Sequence, residues 1–313
     1  MFHTIQELLF WTMLAASTVG PGTVVTCARA GAEYHLSLLS WLVVASLMAF
    51  TLQEGAARLT IVSGRSLGEC LRAKGGGSVA RLLHTSWLCW LVVVSVGAGN
   101  TLFSCNDWAG GVEAVLAFPG VQEGELLRWG TCLVYLVLVV GILSADKDTL
   151  LGIFCGVIMI IMVGLFLVLV VQMGETGKLT GLLPSLDTSW GFVPHNTTDT
   201  AAAPEDMVLS LVGTTSIGFN LFLAGEMAKE KGIGAMQRGI AFSTFIALLV
   251  SVLIMVVGGG VEDMPGGGDF KIALLSQVVH DNLGPWGEGF FGLGFIAASL
   301  SSMLAAPVGA ALR

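Results

Sequence analysis

The sequence predicts an all-α polytopic membrane protein, and three observations carry that prediction. The composition is 54% hydrophobic and only 12% charged, with a mean hydropathy of +0.84. Apolar runs of spanning length recur from one end of the chain to the other. Lysine and arginine collect in alternate connections between those runs. A soluble domain carries about 25% charged residues, because water must wet its surface. A 313-residue chain this poor in charge needs lipid as part of its solvent.

A spanning helix needs about 20 mostly apolar residues to cross roughly 30 Å of hydrocarbon. Such runs extend from Leu8 to about Tyr34, Leu38 to Ile61, Trp87 to Phe118 and Leu126 to Leu143. Four more follow, from Leu150 to Met173, Met207 to Ala224, Ile240 to Val257 and Trp286 to Ala310. About eight spans are expected. Ahead of the first run stand His3 and Glu7 rather than a basic cluster, so that run is expected to be a retained helix, not a cleaved leader.

Orientation follows from where the basic residues fall. With the N-terminus cytoplasmic, the inner connections hold nine: Arg65, Arg72, Lys74, Arg81, Lys147, Lys229, Lys231, Arg238 and Arg313. The outer connections hold three, Arg128, Lys178 and Lys271, while Arg29 and Arg58 lie within spans. The predicted outer side is acidic instead, with Glu123, Glu125, Glu175, Asp187, Asp199, Glu205, Asp206, Glu262, Asp263 and Asp269. Its longest loop carries Asn196-Thr197-Thr198, a candidate N-glycosylation site at Asn196.

Several functions are disfavoured. The net charge of -8, with no concentrated basic stretch, argues against nucleic acid as a partner. Six cysteines stand singly with no C-x-x-C pair, so a structural zinc site is not expected, and buried cysteines here read as small apolar groups. No catalytic motif or phosphate loop occurs, so neither an enzyme nor a cofactor is expected. The expected partners are the bilayer and a small ion or molecule that crosses it.

The informative features are spoiled helices. In the first run, Ser17-Thr18-Val19-Gly20-Pro21-Gly22-Thr23 falls at mid-membrane depth. Pro21 lacks a backbone donor, and Gly20 and Gly22 permit unwinding. Such a stretch reads either as a simple kink or as a true break lining a cavity, since irregular backbone survives in hydrocarbon only where protein or water satisfies it. The sixth run holds a counterpart, Ser210 to Asn220, with Gly213 and Gly218 as candidate break points, and Ser-x-Val-Gly begins both stretches. Two interrupted helices heading two halves of a chain point to an inverted-repeat transporter with a midplane site.

Other polar groups at membrane depth are Arg29, Glu33, Gln53, Glu54, Arg58, Asn100, Asn106 and Asp107. Ionisable residues there usually pair or line a pathway. Glu54 and Arg58 are spaced to pair on one helix face. Glu33 is either interfacial or a substrate ligand. Asn100 and Asn106 serve either helix packing or a pathway.

Residues across the whole chain resemble the NRAMP (natural resistance-associated macrophage protein) family of proton-coupled divalent-metal transporters. They are Gly20 to Thr26, Leu52-Gln53-Glu54-Gly55-Ala56-Ala57-Arg58-Leu59, Gly68-Glu69, Gly213-Thr214-Thr215 with Asn220-Leu221-Phe222-Leu223, and Gly292 to Ala306 with Ser301-Ser302. The resemblance implies a leucine-transporter-like 5+5 inverted repeat with helices 1 and 6 broken. On that frame residues 1–173 form the first repeat, 174–206 an extracytoplasmic loop, and 207–313 a partial second repeat of helices six to eight. The chain ends after its eighth span, so the second repeat is expected to be incomplete.

Against the family's motifs the chain departs. Counted onward from Gly20-Pro21, the first-helix Asp-Pro-Gly-Asn falls on Gly31, Ala32, Glu33 and Tyr34. The sixth-helix Met-Pro-His falls on Ile217, Gly218 and Phe219, and Ile217 cannot ligate a metal. The candidate pathway groups are therefore Gly31, Glu33, Tyr34, Asn100, Thr214, Ile217 and Asn220, with Glu33 as a displaced carboxylate and the Thr214 carbonyl pointing inward. The expected function is secondary transport of a divalent metal cation by alternating access. Magnesium or a small organic solute on the same scaffold, and a non-transporting homologue, are the alternatives.

Overall fold

The structure is a computed structural model that describes residues 2–73, 79–116, 124–144, 148–177, 179, 203–229, 231–261, 270 and 272–310. Among the described residues there are helices and turns but no strand. In chain order the helices are α1 (Phe2–Thr18), α2 (Pro21–Tyr34), α3 (Leu39–Ser63), α4 (Leu67–Ala73), α5 (Val79–Leu116) and α6 (Glu125–Ser144). They continue with α7 (Asp148–Glu175), α8 (Pro204–Thr215), α9 (Phe219–Ala228), α10 (Ile233–Gly258) and α11 (Ile272–Ala310).

Among the described residues each of the eight apolar runs is largely helical, with interruptions at residues 19–20 and 216–218. Five helices or joined pairs are long and apolar enough to cross a membrane, and the bent α1–α2 pair makes a sixth. The lipid-facing side is plain from what is exposed. Leu47, Val62, Leu102, Leu133, Ile160 and Phe245 lie open on the outside of the helices. So do Trp87, Trp90, Trp129 and Trp286, a residue type that favours the interface between lipid and water.

The first run is two helices, not one kinked rod. α1 ends at Thr18, α2 begins at Pro21, and the axes differ by 63°. Pro21 takes the first helical position, where its missing N–H costs nothing, and Gly20 caps it with extended backbone. The sixth run is interrupted over Ser216, Ile217 and Gly218, yet α8 and α9 continue as one span from Pro204 to Ala228.

Several helix starts fall ahead of the sequence expectation, among them α10 at Ile233 rather than Ile240. α5 begins at Val79, ahead of Trp87, because the polar residues before Trp87 continue the helix. α11 begins at Ile272 rather than Trp286 and is kinked at Gly284, whose φ of 69° suits glycine. The eighth span proper, Trp286–Leu304, follows that kink. Asn196 and most of the 174–206 loop lie outside the described residues.

The broken pairs sit at the centre of the bundle. α1 packs against α7, α10 and α11; α2 lies between α10, α8 and α5; α3 packs on α9, α10 and α8; and α5 runs along α11. Trp11, Leu14, Val19, Val24, Leu211, Leu223 and Ile254 are buried where these helices meet. Buried hydroxyls within the helices bond back to their own carbonyls, as Ser46 does to Leu42 O at 2.9 Å and Thr60 to Ala56 O at 3.2 Å. α2 and α10 approach backbone to backbone. A Cβ on Gly31 would lie 1.9 Å from Met255 O, and one on Gly258 would lie 2.1 Å from Ala28 O.

Candidate site at the two helix breaks

Breaking a helix in hydrocarbon strands backbone groups at a cost of several kcal/mol each. The chain answers with side chains. Thr23, on the first turn of α2, donates its hydroxyl back across the break to Thr18 O at 2.6 Å. At the second break the Ser216 N–H donates to Val212 O at 2.8 Å, and its hydroxyl donates to Ala45 O of α3 at 3.2 Å.

The two breaks are joined by one amide. Asn220, on the first turn of α9, donates from Nδ2 to Thr18 Oγ1 at 2.9 Å. Its Oδ1 accepts from Ser17 Oγ at 2.7 Å. All three residues are buried. The end of the first half-helix in one break is thus tied to the start of the second half-helix in the other, 202 residues on.

On one side of this junction lies a small cavity of about 10 Å³, room for about one water. Thr18, Ser46, Gln53, Thr215, Ser243 and Thr244 line it with polar groups from α1, α3, α8 and α10. The Thr244 hydroxyl is buried without a partner among the described residues. Polar groups at both breaks therefore border a space that water can occupy.

On another side, α5 lies against the first break. Asp107 is buried, and its Oδ2 accepts from Ser302 Oγ at 2.5 Å while its main-chain oxygen accepts from Ser299 Oγ at 2.6 Å. Its other carboxylate oxygen, Oδ1, stands where a side chain at position 20 would go: a Cβ on Gly20 would be 2.7 Å from it and 2.9 Å from Ser302 Oγ. Asn106 faces the next glycine, with a Cβ on Gly22 falling 2.5 Å from its Nδ2. Gly110, one turn on, lets α5 close onto Pro21.

The groups expected from the sequence divide. Gly20, Pro21 and Asn220 are at the junction. Gly22 is helical and faces Asn106. Ile217 and Gly218 lie in the second break, where Ile217 O accepts the Asn220 N–H at 3.1 Å. Gly213 is inside α8 with open space beside it, not at a break point, because the helix continues two residues further to Thr215. The Thr214 hydroxyl bonds to its own helix, at Ser210 O (2.9 Å) and Leu211 O (3.3 Å). Asn100 lies two turns before Asp107 on α5, with its Oδ1 buried and unpartnered among the described residues.

Gly31, Glu33 and Tyr34 are not brought to the break. They close α2 at its far end; Glu33 stands about 18 Å along the axis from Pro21 at 1.5 Å rise per residue. Glu33 is buried and accepts from Arg29 Nε at 2.7 Å, and Gly31 serves the close approach to α10. Pro21 and Gly22 stand at the break itself, with Gly20 before them and Thr23 bonded back across it to Thr18 O. The pairing of Glu54 with Arg58 is present, and Gln237 Nε2 joins it at 3.0 Å from Glu54 Oε1.

Sequence reasoning gave no site role to Asp107, Ser17, Thr18 or Ser302. A signal for Asp107 was available. Its helix neighbours at i±3 and i±4 are Phe103, Ser104, Gly110 and Gly111, so unlike Glu54 it has no basic partner on its own helix. Among the described residues no group of three or more His, Cys, Asp or Glu gathers in one place. The donors at the breaks are hydroxyl, amide and carboxylate oxygens, which suit hard cations and not thiophilic ones.

A family model described as natural resistance-associated macrophage protein-like matches residues 12–312. The divalent metal cation transporter MntH of Levilactobacillus brevis is 25% identical over 265 residues, covering 79% of this chain and 51% of its own length. The metal transporter Nramp3 of Oryza sativa subsp. japonica is 24% identical over 328 residues, covering 93% of this chain and 52% of its own. The chain thus spans about half the length of these curated relatives. A crystal structure of a mutant manganese transporter from Eremococcus coleocola superposes with a TM-score of 0.72 at 16% identity, covering 98% of this chain and 64% of that one.

Proposed function

The chain belongs to the natural resistance-associated macrophage protein-like family, and we propose that it moves a divalent metal cation across the membrane by alternating access. The observation that carries this is the junction itself. Two interrupted helices, one in each half of the chain, meet through Ser17, Thr18 and Asn220 beside a small polar cavity. Half-helices rocking about such a junction can expose it to one side and then the other. In this proposal residues 1–173 and 207–313 are the two structurally related halves, and the N-terminus is cytoplasmic.

Ligand chemistry favours a harder cation than a thioether site selects. Ile217 stands in the second break, where a methionine sulfur would be the soft ligand. Magnesium and manganese, which accept oxygen ligands and retained water, fit better than cadmium. The test is uptake by the purified full chain in proteoliposomes, with Mn²⁺, Mg²⁺ and Cd²⁺ offered separately. Saturable Mn²⁺ or Mg²⁺ uptake above that of empty vesicles supports the proposal. Uptake of none of the three, with the protein shown to be folded and inserted, overturns it.

A further inference from the structure

Neither broken pair has a carboxylate of its own near the junction. The chain has no Asp or Glu between Glu7 and Glu33, nor between Asp206 and Glu226. A divalent cation held at the junction needs negative charge from elsewhere. α5 provides one such group. Asp107 is wholly buried, and no ion pair includes it among the described residues. One of its oxygens is fixed by Ser302, and the other is buried, unpartnered and set against the Gly20 break.

A carboxylate kept for structure alone would have both oxygens satisfied, because an unpaired buried polar atom is costly. Here the arrangement fixes the carboxylate and leaves one oxygen buried without a hydrogen bond among the described residues. Ser299 holds the Asp107 main chain, Ser302 holds Oδ2, and Gly20 leaves room for Oδ1, which even a methyl group there would strike. Asn106 adds an amide at the neighbouring Gly22.

We propose that Asp107 supplies, from α5, the carboxylate that binds a hard divalent cation at the break of the first helix, with Ser302 as its positioning residue. This rests on the transport function proposed above and names its charged ligand. A carboxylate oxygen selects manganese, magnesium or calcium over thiophilic metals.

The experiment measures Mn²⁺ binding to the purified full chain in nanodiscs, from the loss of the free-ion electron paramagnetic resonance signal. Asp107→Asn, which keeps the shape and removes the charge, is expected to weaken binding about tenfold or more. Ser302→Ala is expected to weaken it about tenfold, the usual cost of removing a group that orients a ligand. The double variant G20D/D107G moves the carboxylate onto the first helix into space its partner vacates, and is expected to recover binding that D107G alone loses. Melting temperature identifies variants that fail to fold. If wild type binds Mn²⁺ and Asp107→Asn binds it equally well, the assignment of Asp107 is overturned while the transport proposal stands. If wild type itself binds no Mn²⁺, Mg²⁺ or Ca²⁺ in competition, the transport proposal falls and this one with it.

Discussion

Asn220 shows how much one side chain can settle in a membrane interior. Its amide satisfies a hydroxyl on each of two adjacent residues, Ser17 and Thr18, and so fixes the relation of the two breaks. Replacing it with leucine, similar in size and apolar, removes both hydrogen bonds that cross between the breaks, while the Ser17 and Thr18 hydroxyls keep Leu14 O as an acceptor at 2.8 and 3.0 Å. Each lost hydrogen bond costs about 0.5–1.5 kcal/mol. N220L is expected to lower the thermal midpoint in detergent by several degrees and to abolish uptake, whereas a leucine at exposed Thr101 is expected to change neither. A second residue-scale device lies outside the membrane. Ser66 and Glu69 form a capping box at α4: Ser66 N–H donates to Glu69 Oε2 at 2.8 Å, and Glu69 N–H donates to Ser66 Oγ at 3.2 Å. The backbone donor of Ser66 first, and then the nearby charges of Lys229 and Arg65, hold the Glu69 carboxyl below its ordinary value of 4.5. A lowered pKa in the folded state means the stabilisation is present above pH 4.5 and fades as pH falls through the folded value. Amide exchange at Ser66 is therefore expected to be slower in wild type than in E69Q at pH 7, and the difference is expected to fade as pH falls below 4.5 through the lowered folded value.

At the scale of elements, the apolar runs were legible because a hydrocarbon slab demands about 20 apolar residues whatever the fold. The first break was legible too, since Gly20-Pro21-Gly22 spoils a helix by its own chemistry. The second was legible only as a region. Gly213 drew attention, yet a glycine inside a helix is tolerated, and the interruption falls on Ser216 to Gly218. Asp107 was visible as a charge but not as a site, because its meaning comes from α5 lying on α2 and α11, which no local pattern encodes. Gly31 illustrates the reverse error. The sequence offers it as a pathway group, and in the structure it lets α2 touch α10, as small residues commonly do between membrane helices. With Met255 O only 1.9 Å from the site of a Cβ, no rotamer relieves the clash. Gly31→Leu is expected to cost more than the 1–3 kcal/mol or so typical of overpacking. Size-exclusion profiles should show loss of the monodisperse protein; an unchanged profile and melting midpoint would refute this packing role.

The whole molecule is asymmetric in charge across its length. Arg65 and Lys229 both act on Glu69 at the α4 end, whereas Glu205 and Asp206 lie close enough to Tyr34 to act on it at the other. Two basic and two acidic residues that the sequence assigned to opposite faces of the membrane thus lie at opposite ends of the bundle. Which end faces the cytoplasm is a separate matter, on which the distribution of lysine and arginine sets an expectation. Nine in the connections of one face against three on the other is a bias of the kind that sets orientation during insertion, because basic residues resist translocation. The expectation is that residues 174–206 cross to the outer face while the connection from Arg65 to Arg81 stays behind. Asn196 offers a direct reporter, since glycan transfer happens only on the translocated side. Expressed in microsomes, the wild-type chain should gain one glycan that an endoglycosidase removes and that N196Q prevents. A second sequon placed between Arg65 and Arg81 in the N196Q background should remain unmodified. Glycan on that inner sequon, with none at Asn196 in wild type, would reverse the orientation and with it the direction from which cargo first meets the junction.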